Sequence, residues 1–347
     1  MANTKRTRRP TSIDVARLAG VSQTTVSLVV NGGTTSSISE ETRARVLRAI
    51  DQLDYHPHEA ARSLRNQSSH IIGMAIPEAY SAHLIEITMG AEAYAQSKNY
   101  GLFLSITNFD AAREQLSLQW LKQQRYDALI LLSRKKTSLY QDLYALRARG
   151  YPITLLGFHD AEVDSVNVDT TQGEEQLLQH LIALGHRRIG YIYGVSDQTL
   201  LGSRLESCLA LQQAMGLPVI DHFIRRCGPG VNDGYAATQA LLEDCAGREL
   251  PTALIVVNDL LAGAVLAALY AAGVSVPGQM SVASFDNSPL SAFTLPPLTT
   301  VDCQARLIGE EAARLTIERL VAPDRPPENI YTRSQLIVRA STGPATA

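Results

Sequence analysis

The chain has 347 residues, 45% of them hydrophobic and 19% charged. This is ordinary globular composition; it excludes a disordered, collagenous or coiled-coil protein and leaves room for two or three domains. The net charge of −3 conceals an asymmetry: residues 1–66 carry ten basic and six acidic side chains, while the remainder carries 21 basic and 28 acidic. A basic front segment on an acidic body points to a polyanion partner for the front alone.

No run of 18 apolar residues is present, so no membrane partner is expected. The closest approach, Leu260 to Val274, reads as a buried core helix. The N-terminus has no apolar segment of the secretory type, and Cys208, Cys227, Cys245 and Cys303 form no CxxC pair. A cytoplasmic protein with reduced thiols is expected, without a structural metal.

Thr11-Ser12-Ile13-Asp14 has the form of a helix start, a hydroxyl cap followed by an acid three residues on. Ile13, Val15, Ala16, Leu18 and Ala19 follow at helical spacing, and Gly20 ends the helix. Val21 is the turn residue, and Ser22 caps a second helix from Gln23 to about Val30. Two short helices joined by Ala-Gly-Val form a helix-turn-helix, whose second helix enters the major groove. Val26 and Val29 are expected to face inward. Ser22, Gln23, Thr24, Ser27 and Leu28 then face outward, where small polar groups reach base edges or phosphates. A third helix is predicted from Ser39 to about Leu53, with Glu40 and Glu41 near its positive end. Its Val46, Leu47, Ile50 and Leu53 are expected to close the core.

Asp14-Val15-Ala16, Ala19-Gly20-Val21-Ser22, Thr25-Val26-Ser27, Asn31 and Glu41-Thr42-Arg43 resemble the head of a lactose-repressor (LacI/GalR) family regulator. So does Ala61-Arg62-Ser63-Leu64-Arg65 after Pro57. The resemblance continues in order through Leu184 to Ile189, Asn258-Asp259, Ser284-Phe285-Asp286 and Pro296 to Val301, covering essentially the whole chain. It implies an N-terminal all-α helix-turn-helix head plus an α/β two-lobed periplasmic-binding-protein-like core with parallel sheets and three crossovers. Domains are expected at 1–56 (head), 57–68 (hinge helix and linker) and 69–347 (effector-binding and dimerisation core). Thr11, Thr25 and Asn31 join the outward residues as candidate DNA contacts.

Residues 58–66 are too few for a helix stable by itself. The resemblance implies that two such segments pair in the minor groove of a pseudo-palindromic operator. Leu64 would be the wedge between central base steps there. His58 and Ala60 depart from the family, which commonly has Asn and a larger aliphatic. Leu28 stands where most members have Arg, a side chain suited to guanine; a different half-site preference is expected there. Asn31 to Ile38 is about two residues longer than usual in the family.

From Ile71-Ile72-Gly73-Met74-Ala75-Ile76 onward, strand and helix patterns alternate. Strands are predicted at 101–106, 127–132, 152–156, 188–193, 223–226 and 253–257, with helices at 83–97, 111–124 and 137–149. Such alternation means parallel sheets covered by helices, with ligands at the carboxyl ends of the strands. The resemblance places chain crossings near 167, 298 and 325. The first lobe would hold about 69–167 and 299–322, and the second about 168–297 and 328–343.

Arg204 and Asp286 match family positions that face the cleft: a planar fork and a hydrogen-bond-accepting carboxylate. Asn258 offers both a donor and an acceptor, and Asp259 serves equally well as a helix cap. Tyr80-Ser81-Ala82-His83 replaces the frequent Ser-Asn-Pro-Phe, Phe158 stands where Arg often follows Asp, and Cys303 stands where Gln is common. Tyr80, His83, Phe158 and Phe285 would then form an aromatic platform for a sugar face, a nucleobase or an aglycone. The expected effector is a carbohydrate or glycoside; a nucleoside or purine-type corepressor is the alternative. No cofactor is expected. No GxGxxG, GxxxxGK[ST], HExxH or GxSxG pattern is present, so an enzyme is not expected. His186 beside Arg187 and Arg188 reads as solvated surface, and Trp120 as core paired with Leu116. The whole reads as a homodimeric repressor, and the short polar stretch from Ser341 gives no heptads for a tetramer.

Overall fold

The computed structural model describes residues 10–30, 38–55, 68–79, 81–108, 110–123, 125–132, 139–157, 160–194, 200–228 and 230–346. The chain divides into two compact units, 1–69 and 70–347. Asn31, Leu64, Tyr80 and Phe158 lie outside the described residues.

The first unit holds α1 (Ser12–Ala19), α2 (Gln23–Val30) and α3 (Glu40–Gln52). Local chemistry sets each boundary. Thr11 and Asp14 close a reciprocal capping box: Thr11 N donates to Asp14 Oδ2 at 2.9 Å and Asp14 N to Thr11 Oγ1 at 3.4 Å. Gly20 ends α1 in the left-handed region (φ 64°), where a side chain would be strained. Ser22 Oγ accepts from Thr25 N at 3.1 Å, and Ser39 Oγ accepts from Thr42 N at 3.2 Å. The axes of α1 and α2 bend by 104°, within the helix-turn-helix range.

Val15, Ala16, Ala19, Val26, Val29, Val46 and Ala49 form the core of this unit, with Ile50 and Leu53 against it. Leu47 is 51% exposed, contrary to its sequence assignment. The inward stripe of α3 is Val46, Ala49, Ile50 and Leu53, and Leu47 lies one residue off it. Ile13 and Leu18 also face outward.

The second unit contains two six-stranded sheets. The first-lobe elements are β1 (Ile71–Ile76), α4 (Ala82–Ser97), β2 (Gly101–Ile106), α5 (Ala111–Lys122), β3 (Ala128–Leu132), α6 (Leu139–Ala148), β4 (Ile153–Leu156) and β5 (Asp164–Asp169). The second lobe follows with α7 (Thr171–Ala183), β6 (Ile189–Gly194), α8 (Leu200–Ala214), β7 (Ile224–Cys227), α9 (Val231–Asp244), β8 (Ala253–Val256), α10 (Asp259–Ala271) and β9 (Ser281–Asp286). The chain closes with β10 (Thr299–Asp302), α11 (Ala305–Val321), β11 (Asn329–Arg333) and β12 (Gln335–Ile337). The sheet orders are β11-β5-β4-β3-β1-β2 and β12-β10-β9-β8-β6-β7; every pairing is parallel except β10 with β12.

The crossings differ from the sequence expectation. β10 pairs with β9, Val301 opposite Phe285, so residues 299–302 stay in the second sheet and the chain returns to the first lobe only at Ala305. β11 pairs with β5, Tyr331 opposite Asn167, so residues 329–333 belong to the first sheet rather than the second. Short strands carry no mark of which distant strand they pair with, and here pairing decides the lobe. Ser334 ties two crossings together: its Oγ donates to Asp169 O at 2.8 Å and accepts from Gly173 N at 3.1 Å.

In the first lobe, α11 lies on α4 at a glycine contact. A Cβ at Gly309 would stand 1.8 Å from Ile87 O, and one at Gly90 would stand 2.0 Å from Arg306 O. β5 has no counterpart among the predicted strands, because its buried face is polar. Asp164 is fully buried and takes a two-point grip from Arg319, Nε–Oδ2 at 2.8 Å and Nη2–Oδ1 at 2.7 Å.

His186 is buried, not solvated. Its ring bonds Thr252 Oγ1 at 2.9 Å, Ser281 Oγ at 3.0 Å and Gly343 O at 3.0 Å, so the C-terminal stretch is fastened to the second lobe. Trp120 packs against the first-lobe core as expected, meeting Phe103 and Tyr126 edge-on at 5.8 and 6.0 Å, while Leu116 is 40% exposed. The four cysteines are free and buried. α10 is a buried core helix, and no single helix among the described residues is long and apolar enough to cross a membrane.

Candidate functional site

In the head, the predicted DNA-facing residues fall into two groups. Gln23 and Thr24 are exposed on the first turn of α2, with no capping duty. Thr11 and Ser22 spend their hydroxyls on capping, Thr11 Oγ1 donating to Asp14 Oδ2 at 2.7 Å and Ser22 Oγ bonding Thr25 Oγ1 at 2.9 Å. Thr25, Ser27 and Leu28 are half-buried. All of these residues except Thr11, which caps α1, lie at or on α2, the helix that the fold offers to a groove.

In the core, the two lobes bring together one pair of predicted effector residues. His83, in the first turn of α4, faces Asp286, the last residue of β9, with Nδ1 3.6 Å from Oδ1. Their side chains are 18% and 11% exposed. That separation exceeds hydrogen-bond length, and His83 Nδ1, though buried, has no hydrogen-bond partner among the described residues. Asp286 has φ 106° and Asn287 φ 51°, a backbone that L residues rarely adopt. Such strain persists where surrounding structure imposes it, and it collects at binding sites.

Arg204 on α8 is held from two sides. Its Nη1 donates to Val257 O at 2.8 Å, and its guanidinium lies over the Phe285 ring at 4.6 Å. Phe285 is fully buried beneath it. The ring was expected to form part of an aromatic platform; the structure gives it to Arg204 instead, so it cannot stack on a ligand. Arg204, Phe285, Tyr191 and Cys208 line a small cavity in the second lobe.

Asn258 and Asp259 divide their duties differently from the sequence reading. Asn258 is the cap of α10, its Oδ1 accepting from Leu261 N at 2.8 Å. Asp259 is buried behind the site, where it accepts from Thr300 Oγ1 at 2.7 Å, from Ser288 N at 2.6 Å and from Ser284 Oγ. Burial, and then the nearby charge of Asp286, push the Asp259 carboxyl up to about 6, against the pull of those three bonds. Asp259 thus secures the loop after β9 that carries Asp286. The Asx-before-apolar-helix pattern at Asn258 was the available signal for its capping role. Cys303, also behind the site, is fully buried, and burial raises its thiol to about 12. Among the described residues no group of three or more His, Cys, Asp or Glu could hold a metal ion.

A bent pair of short helices on a small core, followed by two parallel sheets that exchange strands three times, defines a DNA-reading head on a two-lobed binding core. Comparison with known proteins agrees. Residues 13–58 match the model of bacterial regulatory proteins of the lacI family, and residues 178–342 match a periplasmic-binding-protein-like domain. The repressor PurR of Photobacterium profundum is 31% identical over 332 residues, covering 94% of this chain and 97% of that protein. The lac repressor dimer bound to operator and the anti-inducer ONPF superposes with a TM-score of 0.84 at 26% identity, covering 97% of this chain and all of that one (100%). The CelR–cellobiose complex gives 0.70 at 28% identity, covering 96% and 100%. The chain belongs to the lacI family of bacterial regulatory proteins. It is a DNA-binding transcriptional repressor.

Proposed function

We propose that this repressor acts as a homodimer on a pseudo-palindromic operator and is controlled by a small effector held between its two lobes. The observation that carries the effector site is the meeting of His83 and Asp286. Two lobes contribute one polar group each, nearly buried, too far apart to satisfy each other, and one of them held on strained backbone. A ligand hydroxyl or N–H between them would bond both and would bind one lobe arrangement better than another, as effector control requires.

Asp286 as acceptor and the guanidinium of Arg204 as donor suit a polyhydroxylated ligand, so a carbohydrate or glycoside is the favoured effector. The cellobiose bound to the structurally similar CelR supports that choice. A nucleoside or purine-type corepressor is the second reading. It is favoured by the His83 imidazole, which can bond or stack on a flat heterocycle, and by the 31% identity to a repressor named PurR. Tyr80 and Phe158 would extend the site. Leu64, in the segment 57–68, would wedge the central operator step, with Asn31 beside the recognition helix. The lac repressor structure, a dimer on its operator, supports the homodimer. Leu290, Phe293 and Leu295, 70%, 81% and 91% exposed, supply an apolar surface for it.

The test is a thermal-shift screen of the full chain against sugars, glycosides, nucleosides and purines. Ligand at 100 times its Kd stabilises by about 2.7 kcal/mol, which a melting curve resolves. A sugar hit lost in Arg204→Ala and Asp286→Ala supports the favoured reading, and a purine hit lost in the same variants selects the second. A hit unaffected by either variant removes the effector from this cleft. Operator affinity with and without the hit then gives the sign of control.

A further inference from the structure

Gln23 opens the recognition helix α2, and Ser12 opens α1. Across the bend between the helices, Gln23 Nε2 donates to Ser12 Oγ at 2.9 Å. The neighbouring hydroxyls are committed elsewhere: Thr11 to Asp14, and Ser22 to Thr25. The bond from Ser12 therefore reaches the recognition helix from a different element, and it holds a side chain that is otherwise exposed and long.

A free glutamine at this position would sample many rotamers, and ordering it on DNA would cost side-chain entropy. A glutamine amide has two N–H donors and one acceptor oxygen. With the N–H trans to Oε1 on Ser12, the other N–H and Oε1 remain side by side. That donor–acceptor pair complements N7 and the N6 amino group of adenine in the major groove. We infer that Ser12 is a positioning residue for operator recognition, holding Gln23 in the orientation that reads an A·T pair. The inference rests on α2 being the groove-reading helix and is independent of which effector is bound.

The experiment is selection from randomised half-sites by the full chain, in the effector condition under which the wild type enriches a motif. Wild type, Gln23→Ala, Ser12→Ala, Ser12→Thr and the double alanine variant are compared, with melting curves for each. The expected result is an A·T preference at one base pair per half-site. Gln23→Ala weakens it by about fivefold or more, the lower end for a two-point base contact. Ser12→Ala weakens the same position alone, Ser12→Thr restores it, and the double variant is no worse than Gln23→Ala. Three results would overturn the inference. One is an unchanged profile in Ser12→Ala. Another is a uniform loss of affinity across all sequences, which marks a phosphate contact or a weakened head, the latter visible as a lowered melt. The last is a preference at the Gln23 position for a pair other than A·T.

Discussion

His83 Nδ1 and Asp286 Oδ1 stand 3.6 Å apart, one on each lobe of the core. His83 stands on helix α4 of the first lobe and Asp286 at the end of β9 of the second, so a movement of one lobe against the other would change their distance. The pair is thus a gauge of closure, and under the proposed function it is also where the effector would bind. His83→Ala removes the first-lobe half and leaves Asp286 and Arg204 in place. We expect effector affinity to fall by about fivefold, the middle of the range for one ordinary hydrogen bond, with little change in the melting temperature of the free protein. Titration calorimetry with the screened effector, beside a melting curve, reads both.

Asp259 gives the core a pH dependence. Its carboxyl is raised to about 6 in the folded chain, first by burial and then by Asp286, against about 3.9 when unfolded. The folded state therefore binds this proton more tightly than the unfolded state. The resulting stabilisation is complete below about pH 4 and disappears as pH rises through about 6, a difference of up to about 3 kcal/mol. Relative to Asp259→Asn, which has no such proton, the wild type loses melting temperature between pH 4 and 7. A constant difference between the two over that range would refute the assignment.

Gly309→Ala is expected to destabilise the first lobe. Its Cβ would meet the backbone oxygen of Ile87 at 1.8 Å, and a helix backbone cannot yield without separating α4 from α11. The cost of such overpacking is about 1–3 kcal/mol. Gly263→Ala serves as control, since nothing lies within 4 Å of a Cβ there. Thermal melts of the two variants should diverge by several degrees, with Gly309→Ala the lower.

Leu295→Asp and Phe293→Asp place a charge on side chains that are 91% and 81% exposed. The folded subunit tolerates them, but an apolar interface does not. Sedimentation velocity is expected to show a shift from dimer to monomer, and operator affinity to drop with it, since two heads no longer bind as one unit. A dimer that survives both substitutions would place the interface elsewhere.

Much of the head was legible because its signals are local. Thr11 with Asp14, Gly20, Ser22 and Ser39 act within four residues of themselves, and the structure puts the helix boundaries where they stand. The strand–helix alternation of the core was legible for the same reason, with most boundaries within a residue or two.

The cleft was less legible. Arg204 and Asp286 could be singled out, but not that Phe285 would be sealed beneath Arg204, nor that Asn258 would cap α10 while Asp259 anchored the loop behind the site. The polar strand β5 lacked the expected pattern because its partners, Arg319 and Asn329, lie over 150 residues away in the chain. Sequence by itself determined the elements, their order and the kind of protein, because caps, turns and hydrophobic periodicity are set by near neighbours. Tertiary structure alone decided which sheet receives β10 and β11 and which polar groups meet across the lobes. Those outcomes depend on hydrogen bonds between segments far apart in the chain, and no short stretch of residues records its distant partner.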